Sequence, residues 1–181
     1  MTIIMAIDCS LVRTGVAILD DGEFIASEVI ETKATVPNYD RLRIIQAKSL
    51  DLIYRYLPDI IAIETSVDFQ RMTNNSRASI EALAQARAAC LIAAGDYASR
   101  FHTYPVEIKE IGPHDVREAI CGNRNAGKAQ VQANLAQRGF VLPLMPSGQP
   151  DPDVADAIGV ALSVYLKERI LTLAREQGYV V

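Results

Sequence analysis

Apolar segments near the start of the chain predict strands that are joined by tight turns. Residues 2–8 form one apolar run, and Gly15–Leu19 and Phe24–Ile30 follow as two further strand patterns. Asp21-Gly22 between these two is a strong signal for a two-residue hairpin, because both residue types tolerate the positive φ that such turns need. The chain is therefore expected to begin with hairpin strands.

Helical periodicity dominates the later part of the chain. Apolar residues recur on one helical stripe from about Tyr39 to Leu57, where Pro58 ends the pattern. The further predicted elements are a strand at 60–64, an Ala-rich helix at about 77–99, a strand at 105–111, a short helix to 120, a helix to about 139 and a last helix at about 153–177. This order predicts an α/β fold with a mixed sheet flanked by helices. We see no repeat or linker, so residues 1–181 are expected to form a single domain.

Composition places the chain among globular proteins, since 50% of its residues are hydrophobic and 22% are charged. No apolar run reaches the roughly 18 residues that a membrane span needs, so no membrane association is expected. The N-terminus lacks the pattern of a signal peptide. Cys9, Cys90 and Cys121 form no CxxC pair and are expected to be reduced thiols, which indicates a cytoplasmic protein.

Charge is distributed unevenly along the chain. The net charge of −4 argues mildly against a nucleic-acid partner, but residues 119–150 and 69–80 contain no acid at all. The basic residues of these two stretches are Arg71, Arg77, Arg124, Lys128 and Arg138. Bases that cluster in this way let an acidic protein bind a polyanion, although an ordinary solvated loop has the same composition.

Four acidic residues at three separate places are the candidate chemistry. Asp8 and Glu64 each end an apolar strand, whereas Asp153 and Asp156 lie three residues apart on one face of the last helix. Each acid alone has an ordinary structural interpretation as a turn or cap residue, and Asp151 is interpreted as such a cap. Together the four carboxylates are a sufficient ligand set for two Mg²⁺ or Mn²⁺ ions roughly 4 Å apart. The matching chemistry is attack of water on a phosphodiester.

A second motif nearly spells a nucleotide-binding P-loop, G-x-x-x-x-G-K-[ST]. The segment Gly122–Ala129 ends in Ala rather than in Ser or Thr, so the hydroxyl that would hold Mg²⁺ is missing. No predicted strand directly precedes it, which also argues against a P-loop. Lys128 remains a candidate for contact with phosphate near a helix start.

Five motifs, taken in order, resemble the RuvC-type Holliday-junction resolvases, a family with an RNase H-like fold. The opening motif keeps Asp8, Thr14 and Gly15 of the family's D-P-G-x-x-x-T-G, while Cys9 and Ser10 replace the Pro and the first Gly. The other four motifs are Ala62-Ile-Glu64, Gln85-Ala-Arg87, the basic segment 122–131, in which Arg124 replaces a Gly, and Asp153-Val-Ala-Asp156-Ala157. The departures indicate a divergent member, such as one from a phage or mobile element.

The resemblance implies roles for individual residues. It implies that Asp8, Glu64, Asp153 and Asp156 are catalytic acids that bind Mg²⁺ or Mn²⁺, with two ions in each active site, and that Lys128 is catalytic beside the scissile phosphate. The resemblance implies that Phe69, Arg117 and Lys128 bind DNA. Arg71, Arg77 and Arg124 are added as DNA-binding candidates because they lie in the basic stretches without acids. Phe69 resembles the aromatic residue that wedges into the junction, and its alternative interpretation is a loop anchor that packs on the core.

The implied function is a metal-dependent endonuclease that cuts four-way DNA junctions by symmetric paired nicks. A homodimer through the helix around Ile80–Ala94 would match the two-fold symmetry of a junction. No sequence feature identifies a branch-migration partner. The alternatives are a related nuclease for other branched DNA or RNA, a binding-only protein, and an actin-like kinase, for which 181 residues are too few.

Overall fold

A computed structural model describes residues 1–65, 77–100 and 106–179. The strands are β1 (Ile3–Asp8), β2 (Arg13–Asp20), β3 (Glu23–Glu31), β4 (Ile60–Glu64) and β5 (Glu107–Ile111). The helices are α1 (Asn38–Tyr56), α2 (Arg77–Arg100), α3 (Pro113–Cys121), α4 (Lys128–Gln137) and α5 (Pro152–Glu176). Each element coincides with one that the sequence pattern predicts, within a few residues at its ends.

The five strands form one mixed sheet in the order β3-β2-β1-β4-β5. β1 pairs with β2, and β2 with β3, in antiparallel fashion, whereas β1–β4 and β4–β5 are parallel pairs. Asp21 and Gly22, with φ of 47° and 87°, make the turn between β2 and β3. Positive φ at both positions is what a type I′ hairpin requires, so the predicted hairpin is confirmed. The expected mixed sheet flanked by helices is also confirmed.

Alternation of side chains along the central strands divides the core into two layers. Ile4 and Ala6 of β1 face α3, α4 and α5 on one side of the sheet, where Ile158 and Leu135 belong to the same apolar cluster. Met5 and Ile7 face the other side and pack with residues of α1 and α2. Because successive strand residues point to opposite faces, this assignment also decides where the polar residues at the strand ends lie.

The helices pack their buried residues against the two faces of the sheet. The first half of α5 is mostly buried, whereas its second half is largely exposed. None of the helices among the described residues combines the length and apolarity that crossing a membrane would require.

Candidate active site

Two of the candidate acids lie side by side at the ends of adjacent parallel strands. Asp8 continues the face of β1 that carries Ile4 and Ala6, and so lies on the α5 side of the sheet. Glu64 has the same parity as Ile60 and Ala62 on β4 and lies on the same side. The register that pairs Ile7 with Ile63 makes Asp8 and Glu64 neighbours.

The turn that follows Asp8 is fixed by Thr14, which is fully buried. The Thr14 hydroxyl donates a hydrogen bond of 2.6 Å to the carbonyl of Ser10. The same hydroxyl oxygen accepts a hydrogen bond of 3.2 Å from the Ser10 amide. The next residue, Gly15, pairs with Asp8 across β1 and β2. A Cβ atom at Gly15 would lie 2.1 Å from the carbonyl oxygen of Asp153, so only glycine lets α5 approach this close.

The start of α5 supplies the helix acids. Asp151 is the N-cap, because its side chain accepts hydrogen bonds from the amides of Asp153 at 3.1 Å and Val154 at 3.4 Å. This confirms the cap that the sequence predicts. One turn into the helix, Asp156 lies on the face that looks over the ends of β1 and β4, and its side chain is 18% exposed.

A cavity of about 110 Å³ brings three of the four acids together. Its described lining residues are Asp8, Glu64, Pro113, Val116, Arg117, Lys128, Val131 and Asp156. The carboxylates come from β1, β4 and α5, and the two basic residues come from α3 and α4. Elements that are far apart in sequence therefore deliver acids and bases to one concave site.

Asp153, the fourth acid, is not among those lining residues. Its Oδ2 atom accepts a hydrogen bond of 2.7 Å from Nε of Arg13. Arg13 also donates from Nη2 to Oδ2 of Asp151 at 2.7 Å and forms an ion pair with Glu31. Asp153 is thus held by a side-chain cation immediately beside the cavity.

Burial and mutual repulsion govern the protonation of the strand acids. The pKa of Asp8 is well above its ordinary value, first because burial disfavours the carboxylate and then because Glu64 and Asp156 are negatively charged neighbours. The pKa of Glu64 is also raised, by burial and by Asp156, although the hydrogen bond from Asp8 works in the opposite direction. The pair is best described as Asp8 protonated and donating to the Glu64 carboxylate.

Lys128 balances the charge on the helix side of the cavity. Its ammonium group pairs with Asp156. Burial opposes the charge of Lys128, but the hydrogen bond to Asp156 and the nearby carboxylates outweigh it, so the pKa of Lys128 is raised. Lys128 is also the first residue of α4, whose N-cap Gly127 offers no side-chain hydrogen bond. The positive end of this helix therefore lies at the cavity.

The donor set fits a divalent metal such as Mg²⁺ or Mn²⁺, since carboxylate oxygens are the ligands that these hard cations prefer. Within the described ranges, no three His, Cys, Asp or Glu side chains are placed to hold an ion as they stand. The contacts explain this. Asp8 is bonded to Glu64, Asp156 to Lys128 and Asp153 to Arg13, so each acid already has a proton or a cation as its partner.

The predicted DNA-binding residues are spread more widely. Arg117 lines the cavity and acts electrostatically on Glu64. Arg124 lies outside it and pairs with Asp115 and Glu118 of α3 at 3.4 Å each. Arg77, at the start of α2, is exposed and pairs with Glu81.

Two further predicted residues, Phe69 and Arg71, lie outside the described residues. Sequence reasoning overlooked Arg13. It is the only base in the opening motif, and it stands two residues before Gly15 on the same face of β2. That parity was the signal that could have placed it beside α5.

Comparison with known proteins identifies the family. The family model described as crossover junction endodeoxyribonuclease RuvC matches residues 4–164. The RuvC of Neisseria meningitidis serogroup A is 33% identical over 168 residues, which cover 91% of this chain and 85% of that protein. The RuvC of Albidiferax ferrireducens is 29% identical over 97% of this chain and 91% of its own length.

Solved structures show the same fold. Thermus thermophilus RuvC, determined in complex with a Holliday junction substrate, superimposes with a TM-score of 0.75 at 22% identity and covers 95% of this chain and 98% of its own. The yeast mitochondrial Holliday junction resolvase Ydc2 gives a TM-score of 0.65 at 10% identity, over 96% and 83% of the two chains. The resemblance inferred from the five motifs is therefore confirmed, and the chain belongs to the RuvC family of crossover junction endodeoxyribonucleases.

Proposed function

We propose that this chain is an endonuclease that resolves four-way DNA junctions by symmetric paired nicks, with residues 1–181 acting as a single nuclease domain. The observation that carries the proposal is the cavity in which Asp8, Glu64 and Asp156 meet Lys128 and Arg117. The family to which the chain belongs consists of metal-dependent nucleases, generally with Mg²⁺. A relative of the same fold was determined with a Holliday junction substrate, which supports this choice of DNA.

We assign the metal-binding role to Asp8, Glu64, Asp153 and Asp156, with two Mg²⁺ or Mn²⁺ ions per active site. Bound ions would activate water for attack and stabilise the leaving oxygen of the cut phosphodiester. To bind the ions as carboxylates, Asp8 and Glu64 would first have to release the proton that they share. Burial of these two groups also strengthens the electrostatic interactions around them.

The scissile phosphate is expected to lie between the acids and the helix starts. Lys128 and Arg117 supply positive charge at the cavity, and the first residues of α3 and α4, Pro113 and Lys128, both line it. Neither N-cap, Gly112 nor Gly127, makes a side-chain hydrogen bond, so both helix ends remain open to an anion. If Asp156 held a metal ion, Lys128 would be free to contact the phosphate.

DNA beyond the cut site is assigned to the outer basic residues. The exposed side chains of Arg77 and Arg124 pair with surface carboxylates, and such ion pairs exchange readily for phosphate contacts. The roles of Phe69 and Arg71 in the loop after Glu64 stay predictions from the sequence. Binding through phosphates makes junction affinity strongly dependent on salt.

Pairs of nicks require two active sites, and we assign the dimer contact to α2. Ala84, Gln85 and Ala88 are exposed on one stripe of this helix, and Ile92 is 53% exposed. Small side chains and an exposed Ile allow two helices to approach closely around a two-fold axis. The free cysteines Cys9, Cys90 and Cys121 are consistent with action in the cytoplasm.

A cleavage assay on defined DNA substrates tests the proposal. Synthetic four-way junctions with varied core sequences, a flap, a linear duplex and an RNA duplex are incubated with the protein at low salt, with Mg²⁺ or with EDTA. We expect paired nicks in the junction alone and no product in EDTA. A junction left intact across all core sequences would overturn the proposal, and preferential cutting of flap or RNA would assign the chain to a related nuclease.

A further inference from the structure

Arg13 is a basic residue in the site region to which the proposed function gives no task. It opens β2 and reaches the start of α5, where Nε donates to Asp153 and Nη2 donates to Asp151 at 2.7 Å each. Its remaining nitrogen, Nη1, pairs with Glu31 at the end of β3. One guanidinium therefore connects two strands to the N-terminus of the helix that carries both Asp153 and Asp156.

The contact of Arg13 with Asp151 and Asp153 is more buried than an ordinary surface ion pair. The side chains of Asp151 and Asp153 are 10% and 25% exposed, and the Arg13 side chain is 33% exposed. Asp151 is fixed in turn as the N-cap of α5. The close approach of Gly15 to the Asp153 carbonyl brings β2 and the helix together at this point. Arg13 is thus held on a rigid part of the fold, with less freedom to move than an exposed side chain.

Because Asp153 lies beside the cavity, its ion pair with Arg13 affects how Asp153 could bind a metal ion. Three acids line the cavity, whereas Asp153 stands one turn earlier on α5 with its Oδ2 on Arg13. A divalent cation that binds Asp153 must either take Oδ2 from the guanidinium or bind through Oδ1 next to it. A permanent positive charge at hydrogen-bond distance from a ligand disfavours a second cation there.

We propose that Arg13 is a positioning residue that pairs with Oδ2 of Asp153 in the metal-free protein, so that the second ion binds next to its positive charge and more weakly than the first. The first ion is assigned to Asp8, Glu64 and Asp156 in the cavity. The inference rests on the proposed two-ion site. It adds that the two ions load in a fixed order, which the ion pair of Arg13 determines.

A metal titration without DNA tests the inference, so its readout does not depend on cutting. Mn²⁺ binding to the wild-type protein and to Arg13→Gln is followed by calorimetry and by the electron paramagnetic resonance signal of free Mn²⁺. We expect two separate steps in the wild type. Arg13→Gln should tighten the second step roughly 10-fold, because it removes a unit positive charge a few ångström from the ion, and should leave the first step nearly unchanged.

Two matched variants control for charge and for surface effects. Arg13→Lys keeps the positive charge and should retain a weak second step. Arg55→Gln removes an arginine that also pairs with two carboxylates, Glu28 and Asp51, away from the cavity, and should leave both steps unchanged. A purely structural role of Arg13 would instead weaken both steps together in Arg13→Gln and would lower its melting temperature.

The outcomes separate the inference from the function on which it rests. An unchanged or weaker second step in Arg13→Gln overturns the inference, because Arg13 would then be neutral or would help to orient Asp153 for the metal. A wild-type protein that binds no ion overturns the proposed metal site as well. If Arg13→Gln does not fold, the NMR resonance of the Arg13 Nε–H group in the wild-type protein is followed during the metal titration. This resonance should shift during the second binding step. A resonance that stays unchanged until both sites are saturated with metal overturns the inference.

Discussion

The two strand acids and the two helix acids relieve their mutual repulsion by different means. Asp8 and Glu64 are buried at the ends of β1 and β4, where their pKa values are raised and they share a proton. Asp153 and Asp156 lie at the start of α5, where Arg13 and Lys128 neutralise them as ion pairs. A bound proton thus reduces the repulsion between the acids on the sheet side, and side-chain cations reduce it on the helix side.

The two arrangements differ in what a metal ion would have to displace. At the strand ends an ion would displace a proton, so its binding would depend on pH. At the helix an ion would compete with an ammonium or a guanidinium, so its binding would depend on the basic residues that this particular chain carries. Four similar carboxylates are therefore expected to respond to different perturbations.

Asp8→Asn tests the strand side and should have the largest effect. The amide cannot give up a proton to become an anionic ligand, so cutting of a four-way junction should fall by about 1,000-fold or more. Binding to the junction in a gel-shift assay should change little. Asp20→Asn is the matched control, because Asp20 ends β2 at the opposite end of the sheet. Substantial cutting by Asp8→Asn would remove Asp8 from the catalytic set.

Lys128→Gln tests the helix side. Loss of a charge-assisted contact to phosphate should lower kcat/KM for the junction by about 10- to 100-fold. Mn²⁺ affinity should hold or rise, since Asp156 is no longer paired with an ammonium. Lys48→Gln on the exposed face of α1 serves as the control. A parallel loss of metal binding and cutting would show that Lys128 supports the acids instead of the phosphate.

Gly15→Ala tests whether the two groups of acids must be held close together. The added Cβ would overlap the carbonyl of Asp153, so β2 and α5 must separate, at a cost of about 2–3 kcal/mol in the free energy of unfolding. A Cβ added at Gly95 of α2 would meet no atom of the other described parts of the chain within 4 Å, so Gly95→Ala should stabilise the protein by about 0.5–1 kcal/mol. Thermal melts compare the two, and equal melting temperatures would contradict the close contact.

The pH dependence of stability should be the smallest effect. In the folded protein the Asp8–Glu64 pair holds a proton at pH values where both groups of the unfolded chain have lost theirs, above the ordinary 3.8 and 4.5. Their contribution to the stability of the metal-free protein is therefore complete below those values and is lost as the pH rises through the raised pKa values. Melts in EDTA should show this decline in the wild type and a shallower one in Asp8→Asn. Identical slopes would contradict the shared proton.

Local patterns in the sequence predicted most of the fold. The run from Ile3 to Asp8, the Asp21-Gly22 hairpin and the cap at Asp151 all depend on neighbouring residues, and all three are confirmed. The meeting of Asp8 and Glu64 in one cavity could also be anticipated, because parallel strands end at the same edge of a sheet.

The partners of the acids were harder to predict. Arg13 and Asp153 are 140 residues apart, and their pairing depends on how closely α5 packs on β2. The same holds for Lys128 and Asp156, which belong to different helices. The periodicity of apolar residues within a helix or strand does not predict such contacts, since they arise from packing between elements.

The two-residue alternation of β1 places limits on how this chain can change in length. A single inserted or deleted residue between Ile3 and Asp8 would turn Asp8 away from the cavity and put a neighbour such as Ile7 or Cys9 in its place. The same shift in β4 would remove Glu64 from the site. Natural variation in length, and any engineered insertion that keeps the enzyme active, should therefore fall in the connections between elements, where a change of length leaves the parity of both strands intact.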